Sequence, residues 1–155
     1  MDFFDKDSTN RVIGFKERRY IEELRILSKA TAIDCIIDDR FERIIYIIKP
    51  GDMGLAIGKN GDCIKKMSKN LGKRIEMVEY AEDTPQFILN MFRPIEKIDI
   101  KTDPTTENML IILPKRDDIG FAIGKNGATI ERARLIVRKY YGKEIEKVVV
   151  SSDIE

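Results

Sequence analysis

The sequence predicts an α+β chain of two small tandem domains, each running α-β-β-α-α-β with a three-stranded sheet covered by helices. Three observations lead there: an internal repeat, the alternation of helix-period and strand-period segments within each copy, and a length of 155 residues, enough for one ordinary domain or two very small ones. Hydrophobic residues make up 43% and charged residues 35%, a balance that favours folding.

The repeat is the strongest signal. Gly54-Leu-Ala-Ile-Gly-Lys-Asn-Gly-Asp-Cys-Ile64 and Gly120-Phe-Ala-Ile-Gly-Lys-Asn-Gly-Ala-Thr-Ile130 share eight of eleven residues at an offset of 66. Further on, Gly72-Lys-Arg-Ile-Glu76 answers Gly142-Lys-Glu-Ile-Glu146 at an offset of 70. The four extra residues are close to one helical turn, so the second copy's helix lengthens without rotating its buried face. Two copies of this size indicate duplicated domains rather than a solenoid.

Within the first copy, residues 16–30 place Tyr20, Ile21, Leu24 and Leu27 on one helical face. Ala32 to Asp38 alternates Ile33, Cys35 and Ile37 and reads as a strand, and Arg43 to Lys49, dense in isoleucine, reads as a second. Pro50-Gly51 breaks it, Asp52 is placed to cap a short helix ending at Ile57, and Gly58-Lys59-Asn60-Gly61 follows. A helix with Ile64, Met67 and Leu71 inward ends at Gly72, and Arg74 to Tyr80 supplies the third strand. In the second copy Thr84 caps and Pro85 opens a helix carrying Phe87, Ile88 and Met91. Strands are expected over Ile95–Ile100 and Met109–Leu113, a short helix capped by Asp117 or Asp118, a longer one with Ile130, Ala133 and Val137 inward, and a last strand over Ile145–Val150. The domain assignment is a tail over 1–15, a first domain over 16–80 and a second over 81–155. The connector Ala81-Glu82-Asp83 has no Gly or Ser, so the two domains are expected to keep a nearly fixed relation.

Net charge is +1, but it is unevenly spread. Residues 58–74 hold six Lys or Arg against Asp62 alone, residues 124–143 hold six against Glu131 alone, and residues 75–114 hold eight acids against three bases. Two basic patches of equal net charge therefore flank acidic sequence, and local field decides whether a polyanion is attracted. On its own, each patch reads equally as a solvated helix face.

The two Gly-Lys-Asn-Gly loops give the patches a purpose. Glycine allows positive φ and close approach of a ligand to the backbone. The helix that begins at each loop has unsatisfied N–H groups and a positive dipole end, which together make an anion site. Lys59 and Lys125 add mobile positive charge, and Asn60 and Asn126 tolerate left-handed geometry and donate hydrogen bonds. Ala56, Ile57, Ala122 and Ile123 just upstream could floor a groove for bases. A Gly-rich turn without ligand is the bland alternative for one loop and a poor one for two. The Gly54–Lys59 spacing falls one residue short of a nucleotide-binding P-loop, and Asn60 stands where Ser or Thr would hold magnesium. There is no histidine, and Cys35 and Cys63 lie in separate segments without metal-ligand spacing. An enzyme, a bound metal and a cofactor are therefore not expected. The hydrophobic stretches are all soon broken by charge, and the acidic start Met1-Asp2-Phe3-Phe4-Asp5 lacks the head of a secretory signal, so a cytoplasmic protein away from membranes is expected.

The order α-β-β-α-Gly-x-x-Gly-α-β resembles the type II form of the KH domain, a three-stranded mixed sheet covered by helices. Two such domains with Gly51-Asp-Met-Gly-Leu-Ala-Ile-Gly-Lys-Asn-Gly61 resemble the archaeal NusA-like transcription factors over residues 16–150. The resemblance implies single-stranded RNA as ligand, each loop clamping about four nucleotides of backbone. The contact residues it implies are Ile57, Gly58, Lys59, Asn60, Gly61, Ile64 and Lys65, then Ile123, Gly124, Lys125, Asn126, Gly127, Ile130 and Arg134. The isoleucines also suit a core. It further implies a role in transcription elongation or termination, carried out as a monomer. The alternative is a module that docks on RNA polymerase or ribosomal proteins, with the acidic stretch 75–114 or the Tyr140-Tyr141 pair meeting the partner.

Overall fold

The computed structural model describes residues 13–154. They divide into two units, one ending at Ala81 and the other beginning at Glu82. Of the tail expected over 1–15, residues 1–12 lie outside the described part.

In the first unit α1 (Phe15–Ser28) leads into β1 (Ala32–Asp38) and β2 (Arg43–Ile48), then α2 (Met53–Ile57), a single 3-10 turn over Lys59–Gly61, α3 (Asp62–Leu71) and β3 (Arg74–Glu79). The sheet order is β1-β2-β3, with β1 antiparallel and β3 parallel to the central β2. All six residues of β2 are buried, which explains its unbroken apolar run in place of alternation. Tyr20, Leu24, Ile44, Tyr46, Ile48, Ala56 and Met67 form the core, with Ile64 and Leu71 packed on its margin. The Tyr46 hydroxyl, buried among them, donates to the Tyr20 carbonyl at 2.9 Å and ties β2 to α1; burial raises its pKa above the usual phenol range.

The second unit repeats the order with α4 (Thr84–Asn90), β4 (Asp99–Thr102), β5 (Met109–Leu113), a 3-10 turn over Arg116–Asp118, α5 (Ile119–Ile123), a 3-10 turn over Lys125–Gly127, α6 (Ala128–Tyr141) and β6 (Ile145–Val150). Its sheet is likewise mixed, with β4 antiparallel and β6 parallel to β5. α6 is four residues longer than α3 (14 against 10), and Ile130, Ala133 and Val137 are all buried. Phe87 meets Tyr140 and Tyr141 edge-on at 5.3 and 6.4 Å. That tyrosine pair is 2% and 1% exposed, so it is core and offers no surface to a partner.

Several local expectations are corrected. Ile33 is exposed rather than inward, because the β1–β2 register slips between Ala32 and Asp34 and turns that side chain out. The cap of α4 is Asp83, whose carboxylate accepts the Gln86 N–H at 3.0 Å, and Thr84 is already helical. Neither Asp52 nor Asp118 caps a helix through its side chain. Each has helical backbone angles that continue the preceding turn, and Asp52 instead accepts the Thr31 N–H at 2.8 Å. The strand expected over Ile95–Ile100 begins only at Asp99. Ile95 is buried, but from a turn closed by its own N–H on the Phe92 carbonyl.

Candidate nucleic-acid interface

Each loop is built by a helix that stops and another that starts within four residues. α2 ends as the Gly58 N–H bonds to the Gly54 carbonyl at 2.9 Å, and α5 ends in the same way from Gly124 to Gly120 at 2.9 Å. Gly58 then takes φ 80°, ψ 167° and Gly124 takes φ 77°, ψ 173°. That region is essentially closed to residues with a side chain. Here it also brings the loop hard against the next helix: a Cβ on Gly58 would lie 2.7 Å from the Cys63 nitrogen, and one on Gly124 would lie 2.7 Å from the Thr129 nitrogen. Asn60 (φ 56°, ψ 27°) and Asn126 (φ 57°, ψ 24°) are left-handed, as their residue type permits. Gly61 and Gly127 are left-handed too, and cap α3 and α6. The two loops are thus the same structure built twice, although their neighbours differ (Leu55 against Phe121, Asp62 against Ala128, Cys63 against Thr129).

The expectation that the whole helix start is open needs narrowing. The Gly61 N–H turns back to the Gly58 carbonyl (3.1 Å) and the Asp62 N–H to the Lys59 carbonyl. The second loop repeats both bonds, from Gly127 to Gly124 (3.2 Å) and from Ala128 to Lys125. The first glycine packs over the following amide. What remains for an anion is the tip, where the Lys59 and Asn60 amides, and those of Lys125 and Asn126, make no such bond among the described residues. The side chains of all four residues are exposed.

The remaining candidates separate. Lys65 is exposed on α3, Ile57 is 37% exposed, and Ile64 and Ile123 are half-buried beside their loops. Ile130 is 5% exposed and belongs to the core, out of reach of a ligand, contrary to expectation. Arg134 is engaged within the fold instead. Its Nε and Nη2 donate to the carbonyls of Ile145 and Glu146 at 3.0 Å each, and its Nη1 to the Glu131 carboxylate at 2.7 Å. It clamps α6 to the start of β6. Leu55 (52% exposed) and Phe121 (59%) were missed. They hold the same repeat position, and in such short helices only Ala56 and Ala122 are buried. That one-residue inner face was the available signal.

Among the described residues no group of three or more His, Cys, Asp or Glu could hold a metal ion, and no helix is long and apolar enough to cross a membrane. Neither Cys35 nor Cys63 is in a disulfide.

A Gly-x-x-Gly loop between two helices, beside a three-stranded mixed sheet, is a KH-type arrangement. The KH domain family model matches residues 17–101, a stretch that includes the first loop and stops before the second. A "Probable transcription termination protein NusA" from Methanocaldococcus jannaschii is 30% identical over 141 residues, 90% of this chain and 72% of that protein. One of the same name from Methanococcus vannielii is 36% identical over 124 residues, 79% of this chain and 70% of that protein. The crystal structure of APE1850 superposes with a TM-score of 0.75 at 36% identity, covering 89% of this chain and 99% of that one. The chain belongs to the KH-domain family and, within it, to the archaeal NusA-like proteins.

Proposed function

We propose that this protein binds single-stranded RNA through its two Gly-x-x-Gly loops and acts as a NusA-like transcription factor on nascent transcripts. Residues 16–80 and 81–155 are then two type II KH domains in tandem. The contacts are Ile57, Gly58, Lys59, Asn60, Gly61, Ile64 and Lys65 in the first, and Ile123, Gly124, Lys125, Asn126 and Gly127 in the second. The protein works without catalysis or cofactor, as a cytoplasmic monomer. The observation that carries this reading is that two loops with different neighbours keep one conformation, each with an exposed lysine and asparagine whose main-chain N–H groups make no backbone hydrogen bond among the described residues. A loop that served only to join helices would not need both glycines at positive φ with exposed Lys-Asn between them.

The test is fluorescence anisotropy with labelled oligouridylate and mixed-sequence RNA of about 12 nucleotides, long enough for two sites of about four. Replacing Lys59 and Asn60 together by Asp, or Lys125 and Asn126, sets negative charge against phosphate. Losing one or two charge-assisted hydrogen bonds, about 1.5–3 kcal/mol each, corresponds to roughly tenfold weaker binding or more per loop. Circular dichroism should be unchanged, since these side chains are exposed. The alternative, docking on RNA polymerase or ribosomal proteins with little direct RNA contact, draws support from the exposed Leu55 and Phe121. Wild-type protein that ignores both RNAs would favour it.

A further inference from the structure

The two basic patches have equal net charge in sequence, but the side chains use that charge differently. At the repeat offset of 66, Asp62, Lys65, Lys66 and Lys69 of α3 correspond to Ala128, Glu131, Arg132 and Leu135 of α6. The first set occupies positions i, i+3, i+4 and i+7, one continuous helical stripe, opposite the face that carries Met67 into the core. All four of its residues are exposed. Lys66 pairs with Asp62 at 3.1 Å, with both side chains more than half exposed. A surface pair of that kind is weak and yields to a stronger anion. Lys65 and Lys69 make no ion pair among the described residues.

In α6 the same stripe is interrupted by an acid and a leucine, and the arginines are occupied. Arg132 donates to the Met91 carbonyl at 2.9 Å. Arg134 is the three-bond clamp on β6. Arg138 grips Glu144 through two bonds, 2.7 and 2.8 Å, and holds that carboxyl below its usual pKa. These cations hold the second unit together.

We infer that the two loops are unequal partners: the phosphate backbone of a single-stranded RNA runs from the first loop along the lysine stripe of α3, whereas the second unit grips RNA with its loop alone. This rests on the RNA-binding reading above, and it assigns Lys65, Lys66 and Lys69 as backbone-positioning contacts. A flexible polyanion suits the stripe because ammonium groups on mobile stems meet phosphates without fixed geometry. Such contacts carry most of the salt dependence of binding. The second loop, whose α6 arginines are already engaged by carbonyls and by Glu131 and Glu144, should contribute less to the salt dependence than the first.

The experiment is the salt dependence of affinity for the same labelled 12-nucleotide RNAs, using the full chain. Each phosphate neutralised on a single strand contributes about −0.7 to the slope of log K against log salt. The variant Lys65→Gln, Lys66→Gln, Lys69→Gln should therefore flatten the slope by about 2 units. The matching Lys→Arg triple variant should retain the wild-type slope, which separates charge from any change in the helix. Arg138→Gln in α6 should leave the slope within about 0.3 of wild type, because that charge is already spent on Glu144. If the glutamine triple variant binds RNA with the wild-type slope, the stripe is a solvated face and the inference fails while the loop reading stands. If wild-type protein binds neither RNA, the loop reading falls and the inference with it.

Discussion

Replacing Gly58 by Ala tests whether the loop conformation is set by steric necessity or by habit. The structure sets two costs against this change. The backbone at φ 80°, ψ 167° lies where a side chain costs about 1–3 kcal/mol. The new Cβ would also lie 2.7 Å from the Cys63 nitrogen and 2.8 Å from its Sγ, and the nitrogen belongs to the helix and cannot swing aside. The combined expectation is about 3 kcal/mol or more. Gly61→Ala makes the natural control. Its φ of 73° is also left-handed, but a Cβ there would meet nothing closer than 3.7 Å. The left-handed cost of about 1–2 kcal/mol is partly offset by the about 0.4–1 kcal/mol gained from a stiffer unfolded chain, leaving roughly 1 kcal/mol. For a unit of this size each kcal/mol moves Tm by about 4–8 °C. Gly58→Ala should therefore lower the first unit's Tm by about 12 °C or more, and Gly61→Ala by several degrees. Thermal unfolding followed by circular dichroism, with hydrogen exchange assigning the transition to α3, reads the difference. Equal losses, or a larger loss at Gly61, would refute the claim that close approach to the Cys63 amide fixes the first glycine.

Two further outcomes follow from arginines engaged within the fold. Arg43, fully buried, donates to Asp38 at 2.7 Å and Glu76 at 3.1 Å and lies over the Phe41 ring at 4.7 Å. Arg43→Met should cost about 3–5 kcal/mol in urea unfolding, because the Asp38 carboxyl is left buried without its partner. Adding Asp38→Leu to that variant should recover much of the loss. Arg134→Ala removes the clamp between α6 and β6 and should destabilise the second unit by about 2 kcal/mol, while leaving RNA affinity within about twofold. A stable Arg134→Ala protein that binds RNA tenfold less well would return this residue to the interface.

How legible the molecule was in its sequence depended on the kind of information each feature needed. β1 and β6 end where their patterns end, because alternation or an unbroken apolar run with turn residues at each side is a local property. The loops were legible because their glycines are required by backbone geometry and contacts only a few residues away. β4 was misplaced because Ile95, Ile98 and Ile100 share a strand-like pattern that the chain breaks with a turn at Ile95, and a buried isoleucine looks the same in sequence from either conformation. Asp52 failed as a cap because its partner, Thr31, is 21 residues distant. The same limit applies to charge. Residues 58–74 and 124–143 are equally basic in sequence, and only the partners of the α6 arginines, the carbonyls of Met91 and Ile145 and the carboxylate of Glu144, set them apart from the exposed lysines of α3. Ile130 against Ile64 is the subtlest case: the repeat makes them equivalent, yet the second helix packs its isoleucine fully and the first leaves it at the margin.

The most direct measurement is a titration of isotopically labelled full-length protein with single-stranded RNA, followed amide by amide in solution. The largest shifts should fall at the main-chain N–H groups of Lys59, Asn60, Lys125 and Asn126, with smaller ones along α3 and none along the solvent face of α6. Shifts that leave those four amides still and gather around Leu55 and Phe121, or on the sheets, would contradict RNA binding through the loop tips.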